Sequence, residues 1–165
     1  MYRHVRVGPQ RLERAGQPRR VRAAAISLIF DTGVLVGAFD RGDAAHSACA
    51  TLIEGTQERR VIPSPVLVEV DHFLGRFAGE QAFTAVLDQV RRGAFVVENL
   101  TATDYERTDE LLRAYADLKV GFVDCAVLAV TERLGEPRLA TLDHRHFGTM
   151  RPRHVEALEL LPHTS

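Results

Sequence analysis

From Ile26 to Leu35 the chain is apolar except for Ser27 and an Asp31-Thr32-Gly33 step. A short apolar run ending in turn residues predicts a strand buried on both faces rather than a helix. Val34 to Phe39 continue apolar, and Asp43 is placed to cap a helix that runs through His46 and Leu52 to about Gln57. Val61-Ile62-Pro63 predicts a second short strand. Ser64 as N-cap and Pro65 at the first helical position then open a helix with Val66, Val70, Phe73, Leu74 and Phe77 at helical spacing. A further helix is predicted from about Glu80 to Arg92, and a strand at Phe95-Val96-Val97. Thr101, with Asp104 three residues on, caps a long helix broken at 119–121. Phe122 to Leu134 predicts a very apolar helix ended by Gly135. Strands are predicted at 138–142 and 158–161. This alternation points to an α/β fold with a central, mainly parallel sheet and helices on both faces.

The totals narrow the class. A chain of 165 residues, 45% hydrophobic and 26% charged, suits one globular domain. No apolar run approaches the ~20 residues of a membrane span. Two cysteines, Cys49 and Cys125, lack zinc-site spacing and fit a reducing, cytoplasmic setting. The charge is unevenly spread. Residues 1–25 carry seven arginines against Glu13, a net +6, which leaves 14 basic and 21 acidic side chains, or −7, for the remainder. The first 25 residues lack periodicity and an apolar signal core. They are read as a disordered basic arm or an over-long start, outside a domain at 26–165. An acidic body argues against a plain nucleic-acid-binding module, which carries a basic stripe. It is tolerable for an enzyme whose carboxylates meet a divalent cation.

Four carboxylates are placed to do so. Asp31 and Asp143 stand at the ends of predicted strands, where the crevice of an open α/β sheet binds ligands. Glu69 and Asp124 lie in helices that begin near the same edge. Each has a bland reading: Asp31 as a turn residue, Glu69 as an exposed helix charge, Asp124 as a first-turn acid, Asp143 as a cap. Their joint occurrence favours a site. Ionised carboxylates crowded together repel, and a divalent cation removes that penalty. Oxygen donors suit Mg²⁺, or Mn²⁺, rather than zinc. Such a site activates water and stabilises a phosphodiester under attack. His144, Arg145, His146, Arg151 and Arg153 cluster beyond the last acid and are candidates for RNA phosphate contacts, or a solvated loop.

Asp31-Thr32-Gly33-Val34-Leu35, Ser64-Pro65-x-x-x-Glu69-Val70, Gly121-Phe122-x-Asp124 and Leu139-Ala140-Thr141-Leu142-Asp143-His144-Arg145-His146-Phe147 together resemble the PIN-domain family, over residues 26–162. Within it they are most similar to VapC-type toxins of bacterial toxin–antitoxin pairs. The resemblance implies a three-layer α/β/α fold and a Mg²⁺-dependent endoribonuclease toxin acting on tRNA or rRNA, inhibited by a cognate antitoxin. It also implies a homodimer, with the helices at 80–92 and 101–118 forming dimer and antitoxin surfaces. Asp31, Glu69, Asp124 and Asp143 would be the catalytic, metal-binding acids, with Thr32 and Thr141 as hydroxyls orienting a carboxylate or water. The pattern departs at His146, where some relatives carry a further acid, and in the basic arm. Asp-Thr-Gly also marks aspartic proteases, but those are almost wholly β. A phosphatase with an aspartyl nucleophile needs a second Asp where Gly33 stands. A housekeeping RNA-processing nuclease and a non-catalytic binding module remain as alternatives.

Overall fold

A computed structural model describes residues 26–163; the proposed basic arm lies outside the described residues. Five strands form one all-parallel sheet in the order β3-β2-β1-β4-β5, with β1 at Ser27–Phe30, β2 at Arg59–Pro63, β3 at Val96–Glu98, β4 at Arg138–Ala140 and β5 at Glu159–Leu161. The central strand explains its own sequence. Ser27, Leu28, Ile29 and Phe30 are all buried, because a parallel strand covered by helices on both faces needs a continuous run rather than alternation. β1 is flanked by β2 on one side and β4 on the other, with Ile29 in register with both Val61 and Leu139. β2 and β3 extend the sheet on one side of β1 and the later strands β4 and β5 on the other, so the strand order reverses at β1 and a crevice opens at its carboxyl end.

The helices are α1 (Thr32–Phe39), α2 (His46–Gly55), α3 (Ser64–Phe77), α4 (Glu80–Arg91), α5 (Ala102–Ala114), α6 (Phe122–Leu134) and α7 (His144–Thr149), with a 3-10 turn at Ala116–Leu118. α6 is the core helix, and every residue from Cys125 to Thr131 is buried in it. Gly135 ends it in the left-handed region at φ 71°, where a side chain is strained. Thr101 caps α5 as expected: its backbone N–H donates to Asp104 Oδ2 at 2.8 Å, and Asp104 N–H returns a bond to its hydroxyl. α5 and α6 are held together by two ion pairs. Arg107 reaches both carboxylate oxygens of Glu132, at 2.7 and 2.9 Å. Arg133 Nε reaches both oxygens of the buried Asp104, at 3.0 and 2.9 Å.

Several boundaries differ from the sequence reading. The apolar run from 26 to 35 is two elements, because the strand stops at Phe30 and the helix α1 starts at Thr32. Uniform burial hides the change of period from 2 to 3.6. Asp43 does not cap α2 directly; its Oδ1 accepts from Ala45 N–H in a turn one residue short of the helix. Ser64 lies inside α3, preceded by Pro63 in the capping position. The long helix after Thr101 gives way at Tyr115 to the 3-10 turn.

Candidate active site

Asp31 follows β1 with extended backbone (φ −86°, ψ 165°), in the N-cap position of α1, yet its carboxylate makes no cap hydrogen bond. It turns instead to β4, where Thr141 Oγ1 donates to Asp31 Oδ2 at 2.8 Å. The Thr141 hydroxyl also accepts from Asp143 N–H at 3.0 Å, so one fully buried side chain ties two of the acids together. Thr32, the first residue of α1, donates from Oγ1 to Glu69 Oε2 at 2.8 Å. Both threonines therefore hold a carboxylate in place.

Asp124 lies in the first turn of α6 and accepts from Gly121 N–H at 3.0 Å. This is half of a capping box, since glycine has no side chain to return the bond. Asp143 caps α7 through Oδ1, which accepts from His146 N–H at 2.8 Å. The bland readings of both residues are thus correct as far as they go, and each leaves further oxygen to the cleft. Asp31, Glu69, Asp124 and Asp143 line one open cleft together with Thr32, Gly33 and Leu142. Gly33 is required by a close approach: a Cβ there would stand 3.3 Å from Leu142 Cβ.

The electrostatics carry the mark of this convergence. Burial pushes the Asp31 carboxyl up to about 6, the hydroxyl of Thr141 and the N–H of Thr32 oppose it, and the charges of Asp124 and Glu69 add to it. Asp124 is also raised, by burial and by the charge of Asp143, against the hydrogen bond from Gly121 N–H and the attraction of the nearby His146 ring. Asp31 thus feels Asp124 and Glu69, and Asp124 feels Asp143, as like charges brought together do. Among the described residues, no three His, Cys, Asp or Glu side chains are closed around a single point as a metal cage. The donor set nonetheless fits a hard divalent cation, being carboxylate oxygen held by hydroxyls and amides.

The residues beyond the last acid separate into different roles. Arg145 is exposed on α7. Arg151 is exposed and donates from Nη1 to Gly148 O at 3.1 Å. Arg153 is committed elsewhere, to Glu110 at 2.6 Å. His144 is half-buried. His146 is not a surface cation but stands between two acids, with Nδ1 2.8 Å from Asp143 Oδ2 and 3.8 Å from Asp124 Oδ2. Asp43, read from the sequence as a cap or surface charge, also lines the cleft. Its approach comes from the α1–α2 loop, which no local pattern reveals.

The family model for the PIN domain matches residues 28–150, which span all four acids. The chain belongs to the PIN-domain family. Ribonuclease VapC26 of Mycobacterium tuberculosis is 30% identical over 125 residues, covering 76% of this chain and 93% of that protein. Among solved structures, VapC20 of M. tuberculosis, described as a sarcin-ricin loop cleaving toxin, matches with a TM-score of 0.67 at 24% identity, over 72% of this chain and 91% of its own. VapBC2 of Rickettsia felis, bound to promoter DNA, matches with a TM-score of 0.60 at 16% identity, over 83% of this chain and 100% of its own. At these identities the structural matches speak for the PIN fold alone. Among the described residues, no helix is long and apolar enough to cross a membrane.

Proposed function

We propose that this PIN-domain chain is a Mg²⁺-dependent endoribonuclease toxin of the VapC type, hydrolysing RNA phosphodiester bonds at the acid cleft, with transfer or ribosomal RNA as substrate. The observation that carries the reading is that Asp31, Glu69, Asp124 and Asp143, from four different elements, face one cleft. A relative named as a ribonuclease, matched across most of its length, supports the same activity. Residues 26–165 make up the nuclease domain in this reading.

A divalent cation, Mg²⁺ or Mn²⁺, supplies the activation of water and the charge to stabilise a phosphodiester in in-line attack. Asp31, Asp124 and Asp143 are the residues that would hold it, with Glu69 beside them. Thr141 presents Asp31 and fixes the backbone of Asp143, while Thr32 holds Glu69 in one rotamer. Orientation by buried hydroxyls lowers the reorganisation needed when substrate arrives. Arg145, Arg151 and His144 follow Asp143 along the chain, and in this reading they would meet RNA phosphates.

Two partners follow from the same reading. Solved neighbours include toxin–antitoxin complexes, from Klebsiella pneumoniae among others, which supports a cognate antitoxin here. A homodimer is supported by an exposed apolar patch beside the cleft: Val68 is 73% exposed, Tyr105 55% and Phe122 44%. The two rings lie nearly parallel, 6.5 Å apart. Contiguous apolar surface of this kind marks a contact face.

The activity is tested by incubating the purified protein with structured RNA and Mg²⁺. Cleavage is expected, and it should vanish with EDTA and in Asp124→Asn protein. Cleavage unchanged under either condition overturns the mechanism.

A further inference from the structure

α3 carries a stripe of which the acid cleft uses only the beginning. Glu69, Phe73 and Phe77 stand on successive turns along one edge of the helix. The helical spacing of the two phenylalanines with Val66, Val70 and Leu74 predicts a buried stripe, but Phe73 is 38% and Phe77 61% exposed. Phe73 lines the cleft together with Asp31, Glu69, Asp124 and Asp143. Phe77 lies about 6 Å further along the helix axis. The two rings are held nearly parallel, with 9° between their planes and 6.4 Å between centroids. His72 meets the Phe73 ring edge-on, at 5.4 Å. The Arg76 guanidinium stands over Phe77, 5.6 Å from its centroid, and pairs with no carboxylate among the described residues.

Three features decide what fits this stripe. It begins inside the acid cleft, so whatever lies on Phe73 lies beside the reacting phosphodiester. Its surface is aromatic with an uncommitted cation at the far end, which matches the π-faces and phosphates of an unpaired strand. From residue 26 onward the chain carries 21 acidic against 14 basic side chains, so no general positive field holds a strand there, and stacking must supply the grip. The stripe is also distinct from the proposed dimer face. Val68 stands about 140° around α3 from Phe73 and about 180° from Phe77.

We propose that Phe73 and Phe77 stack the nucleobases of the RNA strand flanking the scissile phosphate, with Arg76 taking a phosphate of the same strand. This rests on the reading of the acid cleft as a ribonuclease site. Every base has a π-face, so the platform positions the strand at the acids without selecting its sequence.

The test uses the full chain and an unpaired RNA of about 12 nucleotides carrying 2-aminopurine at one position in turn. Binding is read in the Asp124→Asn background, so that the RNA stays intact. Fluorescence quenching is expected at positions next to the bond that the wild type cleaves. Phe73→Leu and Phe77→Leu should each remove quenching at one position and weaken binding by about tenfold, whereas Phe77→Trp should retain both. An abasic nucleotide at the position read by Phe77 should weaken binding to the parent by about tenfold and add little to Phe77→Leu. Arg76→Gln should flatten the slope of log affinity against log salt by about 0.7. Absence of quenching, leucine variants that bind as tightly as the parent, or an abasic penalty equal in parent and Phe77→Leu overturns the proposal. So does a changed sedimentation of Phe77→Leu with RNA affinity intact, which assigns the face to a protein contact. The ribonuclease reading fails separately, if the wild type binds and stacks the RNA but leaves it uncut in Mg²⁺. Circular dichroism of each variant checks that the fold is retained.

Discussion

Thr141 Oγ1 donates to Asp31 Oδ2 at 2.8 Å while accepting from Asp143 N–H at 3.0 Å. A single hydroxyl therefore couples the end of β1 to the loop after β4. Thr141→Val keeps the shape and removes both bonds, taking one of two donors from the buried Asp31 carboxylate and leaving the Asp143 amide without its acceptor. It should cost roughly 1–3 kcal/mol of stability and reduce RNA cleavage by about 10- to 100-fold. Thr141→Ser should retain most of both. Melting curves and cleavage rates on the same preparations decide the matter.

The raised carboxyl of Asp31 makes a signed prediction about pH. Its folded value is about 6 against an ordinary 3.8, so the fold favours the protonated form. The stability it contributes is present below about pH 4 and is lost as pH rises through 6. The loss amounts to roughly 3 kcal/mol for a shift of about two pKa units. Asp31→Asn should therefore be more stable than the wild type at pH 7 in EDTA, with the advantage vanishing near pH 4. Mg²⁺ should reduce the difference at pH 7 by stabilising the wild type. Urea unfolding at both pH values measures it.

Gly33 leaves room for Leu142, which sits between Thr141 and Asp143. An alanine Cβ would lie 3.3 Å from Leu142 Cβ, and Leu142 must give way by a few tenths of an ångström. The displacement passes to the neighbouring residues. Gly33→Ala is expected to cut cleavage by about tenfold, since small misplacements of a site are costly, with little change in melting temperature. Unaltered turnover would show that Leu142 moves independently of the acids.

Arg133 stabilises the molecule at a distance from the cleft. It pairs with Asp104, which is 2% exposed, and with Glu98 at the end of β3. Burial pushes Asp104 up, but bonds from Thr101 and Arg133 outweigh it and leave the carboxyl below its usual value. Arg133→Ala should cost about 2 kcal/mol, less than a wholly buried pair because the Thr101 cap remains. Activity of the folded fraction should be unchanged. The loss should shrink in acid, as Asp104 becomes protonated.

The patch of Val68, Tyr105 and Phe122 gives a prediction about assembly. Sedimentation should find a dimer for the wild type, and a monomer for Val68→Lys, which places a charge on an exposed apolar surface without touching the core. A monomeric wild type would remove the proposed contact.

Much of this protein was determined by local sequence. Continuous apolar runs specify β1 and α6, because only elements covered on all sides need them. The caps at Thr101 and Gly135 follow from short-range hydrogen bonding and backbone sterics. The four acids are visible as carboxylates set against apolar elements, where isolated charge is costly. Tertiary structure decided what those patterns leave open. Uniform burial erased the border between β1 and α1, and Asp43 came to the cleft through a loop whose course depends on packing. The position of His146 depends on where α7 meets α6, since Asp124 and His146 are 22 residues apart and share no periodicity. Likewise, no local rule pairs Thr141 with Asp31, which are joined only because β4 lies beside β1. Sequence patterning sets which residues must be buried or capped. Their meeting in one cleft is set by strand order, a long-range choice among neighbours that periodicity does not record.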